Sequence, residues 1–348
     1  MLAEVALPDR DPAIAAAVEA RLAEKTMPPG ALGRLQRLAT ALAVAQDSAH
    51  PVPGPAEAVV FAGDHGLVAE GVSAWPQAVT ALMVETLCAG GAAAAVLARA
   101  EGARLEIVDV GVATPYRAPP PGLVEARIRP GTRNALVEDA LSAGDRAAAL
   151  AAGAAAALRA RDRGARVLVP GEMGIGNTAA AALLAHALAG LPLEVLAGPG
   201  AGLDPAGVAA KRAILERVAA RRPGPLDAPA ALAAFGGFEI AAMAGAMVAG
   251  ASARMAVLVD GFIATAAAMA ALAAHPGIRP ALIFAHRSAE PGHRAMLQAL
   301  GAEPLLDLDL RLGEGTGGLA ALPMLRLACR ILDEMATFES AGIPRDAG

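Results

Sequence analysis

Three stretches of this chain set acids, glycines and a rare lysine where chemistry could be done. RLGEGTGG (311–318) holds Glu314 between glycines, which leave its carboxylate sterically accessible. A Glu so placed is competent as a general base, and equally as a helix-entry acid favoured by the helix dipole. VLVPGEMGIGNT (167–178) reads as strand, glycine-rich turn and helix start. Gly174 and Gly176 permit close backbone approach, and free N–H groups at a helix start favour a phosphate. Asn177 or Thr178 is suited to cap that helix. The stretch matches neither the dinucleotide G-x-G-x-x-G pattern nor a P-loop, so a plain tight turn is the alternative. Glu172 within it has no structural reason to be acidic, which favours a ligand role. A second glycine-rich turn, LAGPGAG (196–202), contains Gly200 and precedes Lys211, which with Lys25 makes up the chain's two lysines. A lysine kept among so many arginines suits a phosphate as a compact charge, or is a solvated helix charge. Asp64, His65, Asp109, Asp260 and His286 form a looser set. They fit a hydrogen-bonding scaffold or, more weakly, a metal centre, with no H-E-x-x-H spacing.

The elements that must position these residues are legible from residue 57 onward. Short β-branched runs end in Gly, Asp or Glu and give way to Ala-rich helices: 58–62, 105–110, 166–169, 193–196, 255–259 and 281–284, with 304–310 as a candidate seventh. Strands alternating with helices imply an α/β fold with a mostly parallel sheet. Ligands then sit beyond the carboxyl ends of the strands, where GDHG (63–66), Asp109, GEMGIGNT (171–178), GPG (198–200), Asp260-Gly261 and His286-Arg287-Ser288 all fall. Asp11-Pro12 opens a first helix to about Lys25, and Leu32, Leu35, Leu38 and Leu42 mark a second. With a final helix over 319–340 they form a small helical subdomain (1–56 plus 319–348) beside an α/β catalytic domain (57–318). The Pro- and Arg-rich region 113–135 reads as a long excursion.

Composition narrows the function. The 348 residues are 55% hydrophobic, mostly through alanine, with 2% aromatics and a net charge of −5. That excludes a broadly basic nucleic-acid binder and a long disordered chain. Cys88 and Cys329 have no C-x-x-C spacing, so they read as free thiols in a reducing cytoplasm, without a zinc or redox motif. Residues 1–11 lack the pattern of a secretory signal. Two apolar stretches, Met173–Leu193 and Gly261–Ile278, begin with loop residues and are largely Ala, so they are expected as buried helices, not membrane spans.

Taken together, PPGALGRLQ (28–36), AGDHGLVAEGVS (62–73), VDVGV (108–112), GTRN (131–134), GEMGIGNT (171–178), GGFEIAAMAGA (236–246), LVDGF (258–262), SAEPGH (288–293) and RLGEGTGG (311–318) resemble the nicotinate-nucleotide–dimethylbenzimidazole phosphoribosyltransferase family of cobalamin lower-ligand assembly. The resemblance covers nearly the whole chain. It implies a Rossmann-like sheet, a small helical part from both termini, a homodimer and no cofactor or metal. It places the family's general base on Glu314 and a base-pocket acid on Glu172, beside Met173. It gives Gly174–Thr178 (with Gly176, Asn177) and the Gly200/Lys211 region to the nucleotide phosphate. Asp64, His65, Asp260, His286 and Ser288 would support the site. Where some members contact the benzimidazole through a Ser and a Gln, this chain has Trp75 and Met83.

The implied substrates are nicotinate mononucleotide and a benzimidazole-type base. The pyridinium leaves ribose C1′ as neutral-nitrogen nicotinate, one benzimidazole nitrogen attacks, and a carboxylate takes the proton from the other. Attack opposite the leaving group inverts the β-nucleotide to an α-riboside phosphate. A metal-dependent phosphohydrolase built on Asp64, His65, Asp260 and His286 is the second reading, and a non-catalytic base-binding protein the third.

Overall fold

A computed structural model describes residues 5–118 and 120–344. In chain order the elements are α1 (Ala13–Ala23), α2 (Arg34–Gln46), β1 (Ala56–Gly63), α3 (Val79–Cys88), α4 (Ala93–Glu101), β2 (Arg104–Gly111), β3 (Leu123–Glu125), α5 (Ala143–Asp162) and β4 (Val167–Met173). There follow α6 (Asn177–Ala189), α7 (Leu193–Leu196), α8 (Pro205–Ala219), α9 (Ala228–Phe235), α10 (Phe238–Ser252), β5 (Ala256–Val259), α11 (Phe262–Ala274), β6 (Leu282–Phe284), α12 (Pro291–Ala299) and α13 (Thr316–Glu334).

The six strands form one parallel sheet in the order β3-β2-β1-β4-β5-β6. The order reverses between β1 and β4, and in such Rossmann-like sheets the ligand crevice opens beyond the carboxyl ends of the strands at that reversal. Those ends are Ala62-Gly63 and Glu172-Met173, which lie side by side in the β1/β4 register. Alternation along the strands separates two cores. Val59, Phe61 and Leu168 face a layer that includes α5, α6, α10 and α11. Val60, Val167, Val169 and Leu258 face the other, where Leu38 and Leu42 of α2 and Leu319, Leu322 and Leu325 of α13 pack. Lys25 is structural in this layer: it bridges to Thr337, and its ammonium donates to the Met335 carbonyl at 2.7 Å.

The alanine excess has a packing cause. A Cβ on Gly153 of α5 would lie 1.8 Å from the Ala242 carbonyl oxygen, and one on Gly245 of α10 would lie 2.2 Å from that of Leu150. These two helices touch backbone to backbone, a distance that only glycine and small side chains permit.

Three expectations change. Residues 193–196 form the short helix α7, not a strand; Leu193 and Leu196, three apart, bury together after Pro192, while Val195 is exposed. Residues 304–310 run beside the chain that continues from β6, with a bridge between Leu306 and His286 and flanking backbone hydrogen bonds, but form no strand of the sheet. The 113–135 excursion contributes β3, a three-residue edge strand too short to signal itself. The run at 166–169 continues to Met173 as β4 through Pro170. A proline is tolerated there because β5 accompanies only Val167 and Leu168. Both apolar stretches fold into buried helices, α6 and α11. Residues 79–101 are apolar and long enough to cross a membrane by composition, but they fold as two helices, α3 and α4.

Candidate active site

Beyond the β1/β4 reversal lies a cavity of about 380 Å³. It gathers Trp75, Met83, Glu172, Met173, Gly174, Asn177, Thr178, Gly200, Asp260, His286, Ser288 and Glu314 into one wall. Residues far apart in the sequence thus converge at the sheet edge where the strand-end motifs pointed.

Glu314 precedes α13 in a left-handed backbone conformation, φ +61°. A non-glycine residue held there stores strain, a pattern that clusters at functional sites. Its N–H donates to the Glu172 carbonyl at 3.2 Å, and a Cβ on Gly171 would meet the Glu314 and Gly315 backbone at 2.6 Å. Contrary to the accessible position expected from its flanking glycines, Glu314 is only 3% exposed. The reason is α4: the Ala94 N–H, in that helix's first turn, donates to Glu314 Oε2 at 3.2 Å. Burial raises the Glu314 pKa, this N–H works against the rise, and the nearby Asp260 adds to it. A helix N-terminus is the environment that keeps a buried carboxylate ionisable.

Glu172 ends β4 as the more extreme acid. Burial, then the charges of Glu239, Asp260 and Glu314, push its pKa well above the usual range, against a hydrogen bond from the Asn177 amide. Both neighbouring carboxylates are thereby held above the ordinary glutamate range, Glu172 the further of the two.

The glycine-rich turn is as tight as its sequence suggested. A Cβ on Gly174 would lie 2.2 Å from the Gly63 carbonyl oxygen, and Gly176, at φ +94°, starts α6. Gly176 does not line the main cavity but a small adjoining hollow with Asn177 and Thr178. Lys211 is not a solvated helix charge. It is 1% exposed and reaches the turn from behind the cavity wall, donating to Thr178 Oγ1 at 2.9 Å and to the Gly198 carbonyl at 3.2 Å. Burial lowers its pKa to about 8, with Glu290 opposing.

Trp75 stands at the mouth, 52% exposed, its indole N–H donating to the Ala201 carbonyl at 3.0 Å. Asp260 accepts from the Gly318 N–H at 3.0 Å and lies 3.5 Å from His286 Nε2.

Asp64, His65 and Asp109 are not brought into the cavity. Asp64 accepts from the Thr80 hydroxyl (2.6 Å) and the Ala113 N–H (2.8 Å), and burial raises its pKa to about 6. His65 Nε2 bonds Glu239 at 2.7 Å. Burial disfavours its imidazolium, but the Glu239 charge outweighs that and the His65 pKa is raised. Asp109 clamps the Gly111 and Val112 N–H groups, Tyr116 and Arg127. The four residues of the metallohydrolase reading therefore do not converge, and the described residues contain no cluster of three metal-ligating side chains.

Three charged residues escaped sequence reasoning: Glu239, which holds His65, and Glu290 and Arg311, which line the cavity. All lie inside motifs already singled out, so each motif was visible while the role of the individual acid or base was not.

The comparisons with known proteins agree with this geometry. A family model described as Phosphoribosyltransferase matches residues 7–343. The nicotinate-nucleotide–dimethylbenzimidazole phosphoribosyltransferase of Ralstonia nicotianae is 52% identical over 341 residues, covering 97% of this chain and 96% of the relative. That of Cupriavidus necator is 51% identical over 336 residues, covering 96% of each. The crystal structure of CobT from Thermus thermophilus superposes with a TM-score of 0.92 at 45% identity, over 96% of this chain and 100% of that one.

Proposed function

We propose, from the premise that the chain belongs to the nicotinate-nucleotide–dimethylbenzimidazole phosphoribosyltransferase family, that it moves the 5-phosphoribosyl group of nicotinate mononucleotide onto 5,6-dimethylbenzimidazole or a related base. The products are nicotinate and an α-riboside 5′-phosphate for the cobalamin lower ligand. The observation that carries this reading is Glu314, a buried carboxylate on the cavity wall that receives an N–H from the first turn of α4.

In this reading the base lies between Trp75, Met83 and Met173, with its N–H toward Glu314. Its other nitrogen attacks C1′ as the C1′–pyridinium bond breaks, and the bonding pair returns to the nicotinate nitrogen. Glu314 accepts the benzimidazole proton. The Asp260 and Glu314 carboxylates on the cavity wall suit the pyridinium ring of the nucleotide and a ribosyl carbon gaining positive charge. The α6 start and Lys211 hold the phosphate. The protein is taken to work as a homodimer in the cytoplasm, in keeping with its free cysteines.

Incubation with nicotinate mononucleotide and a panel of benzimidazoles, with mass detection, should yield α-riboside phosphates and nicotinate in equal amounts, undiminished by chelator. Nucleotide hydrolysis without ribosyl transfer would overturn the reading. Trp75 is the sole tryptophan, so its fluorescence should change as base saturates the pocket; a signal indifferent to base would remove it from the base site.

A further inference from the structure

Glu290 is the residue of the cavity wall that the reaction leaves unexplained. It sits at the N-cap of α12, where an acid ordinarily accepts from its own helix's N–H groups. Here its side chain makes no such bond. It is 5% exposed, and neither carboxylate oxygen has a partner in hydrogen-bonding geometry, the Gly200 N–H approaching without completing a bond. An acceptor buried in this way costs free energy that a purely structural residue would have recovered.

The side chain turns instead onto the Gly198-Pro199-Gly200 turn. A Cβ on Gly198 would lie 2.0 Å from Glu290 Oε2. Two cations touch the same turn: Lys211 of α8 donates to the Gly198 carbonyl, and Arg311 donates to the Gly200 carbonyl at 3.4 Å. The cations are thus held near the acid by carbonyls, and neither bonds it. His293 of α12 looks elsewhere, bonded to Thr265 and to the Ser288 N–H. Lys211 and Arg311 are the charged groups that face Glu290.

We propose that Glu290 is the exchangeable counter-ion of the phosphate subsite, balancing Lys211 and Arg311 in the free enzyme and taking up a proton from solvent when the nucleotide's phosphate arrives. The inference rests on the placement of the phosphate beside Lys211 and the 174–178 turn. Two cations at one turn repel each other unless an anion stands between them. A phosphate dianion beside the same cations makes the carboxylate redundant and, as a like charge, favours its neutral form. The step is –COO⁻ plus H⁺ giving –COOH; no other bond changes. Burial already raises the Glu290 pKa, with Lys211, the Gly200 backbone and Arg311 opposing.

Calorimetric titration with nicotinate mononucleotide at pH 7.5, in buffers of different ionisation enthalpy, counts the protons. The wild type should take up about 0.5–1 proton per nucleotide, so its Kd should weaken by up to about tenfold per pH unit as pH rises. Glu290→Gln on the Lys211→Arg background, where position 211 contributes no proton of its own, should bind without that uptake and with a flattened pH dependence. Lys211→Arg, which cannot lose its charge in this range, should keep the uptake, as should Glu290→Asp. Binding by wild type without proton uptake, or uptake persisting when Glu290→Gln is made on the Lys211→Arg background, overturns the assignment. The wild-type count tests it even if Glu290→Gln does not fold. Nicotinate riboside, lacking the phosphate, separates the two levels. If it binds as tightly as the nucleotide, the phosphate subsite itself is misplaced. If it binds far more weakly but the nucleotide takes up no proton, only the role of Glu290 fails.

Discussion

As the proposed general base, Glu314 combines two features that oppose each other: a buried carboxylate resists ionisation, and a base must be ionised. The α4 N-terminus reconciles them through the Ala94 N–H. Glu314→Gln keeps the shape and removes proton acceptance, so kcat should fall by about 10²–10⁴ while nucleotide binding is retained. A variant with near-normal kcat, alongside an inactive Glu172→Gln, would transfer the base role to Glu172. Because the Glu314 pKa is raised, the acid limb of kcat should lie above that of an ordinary glutamate, activity being lost as pH falls through the raised value. A limb at or below the usual glutamate range would contradict the burial seen here. Asp64 gives the complementary stability effect. Its folded pKa, about 6, exceeds the ordinary 3.8. Protonated Asp64 therefore favours the folded state, and this contribution is lost as pH rises from about 4 to 6. Relative to wild type, Asp64→Asn should gain on the order of 2 kcal/mol in urea unfolding between pH 4 and pH 7. A pH-independent difference would show that Asp64 titrates normally.

At the scale of elements, the cavity wall depends on how closely helices and strands approach. Gly171 lets the Glu314 backbone lie against β4, and Gly174 lets the turn before α6 lie against the end of β1. The α5/α10 contact is of the same kind, and neither Gly153 nor Ala242 lines the cavity. Gly153→Ala puts a methyl group into the Ala242 carbonyl, a backbone atom that a side-chain rotation cannot clear. It should destabilise the protein by about 1–3 kcal/mol or more, with KM and kcat of the folded fraction unchanged. A neutral result in chemical denaturation would mean the helices can separate at little cost.

At the scale of the molecule, the two ends of the chain complete one face of the sheet. Leu38, Leu42, Leu319, Leu322 and Leu325 belong to the same apolar cluster as Val60, Val167 and Leu258. We propose that the terminal segments, 1–56 with 319–348, are a subdomain of one folding unit with residues 57–318. A 57–318 fragment would expose that face and should not unfold cooperatively; a sharp two-state transition in the isolated fragment would make the central segment an independent domain. The helical end also delivers α13, whose start follows the Glu314 loop, so its packing bears on the site as well as on stability.

The sequence alone determined the α/β class and the polar strand-end residues that line the cavity, such as Glu172, Asp260 and His286, whereas Trp75 and Met83 were named only through the family resemblance. The physical reason is that a parallel sheet carries its polar residues at strand ends, and in an Ala-rich chain those motifs stand out. It did not disclose β3 or the helical nature of 193–196, because three or four residues hold too little periodicity to separate strand from helix. The tertiary structure alone decided which charges meet. Glu314 is buried against the N–H of a residue 220 positions away, His65 is held by Glu239 across 174, and Glu290 shares a turn with Lys211 and Arg311. Local spacing carries no information about such encounters. They depend on which helix end or side chain the fold brings alongside, and it is these neighbours that set the charge each group carries.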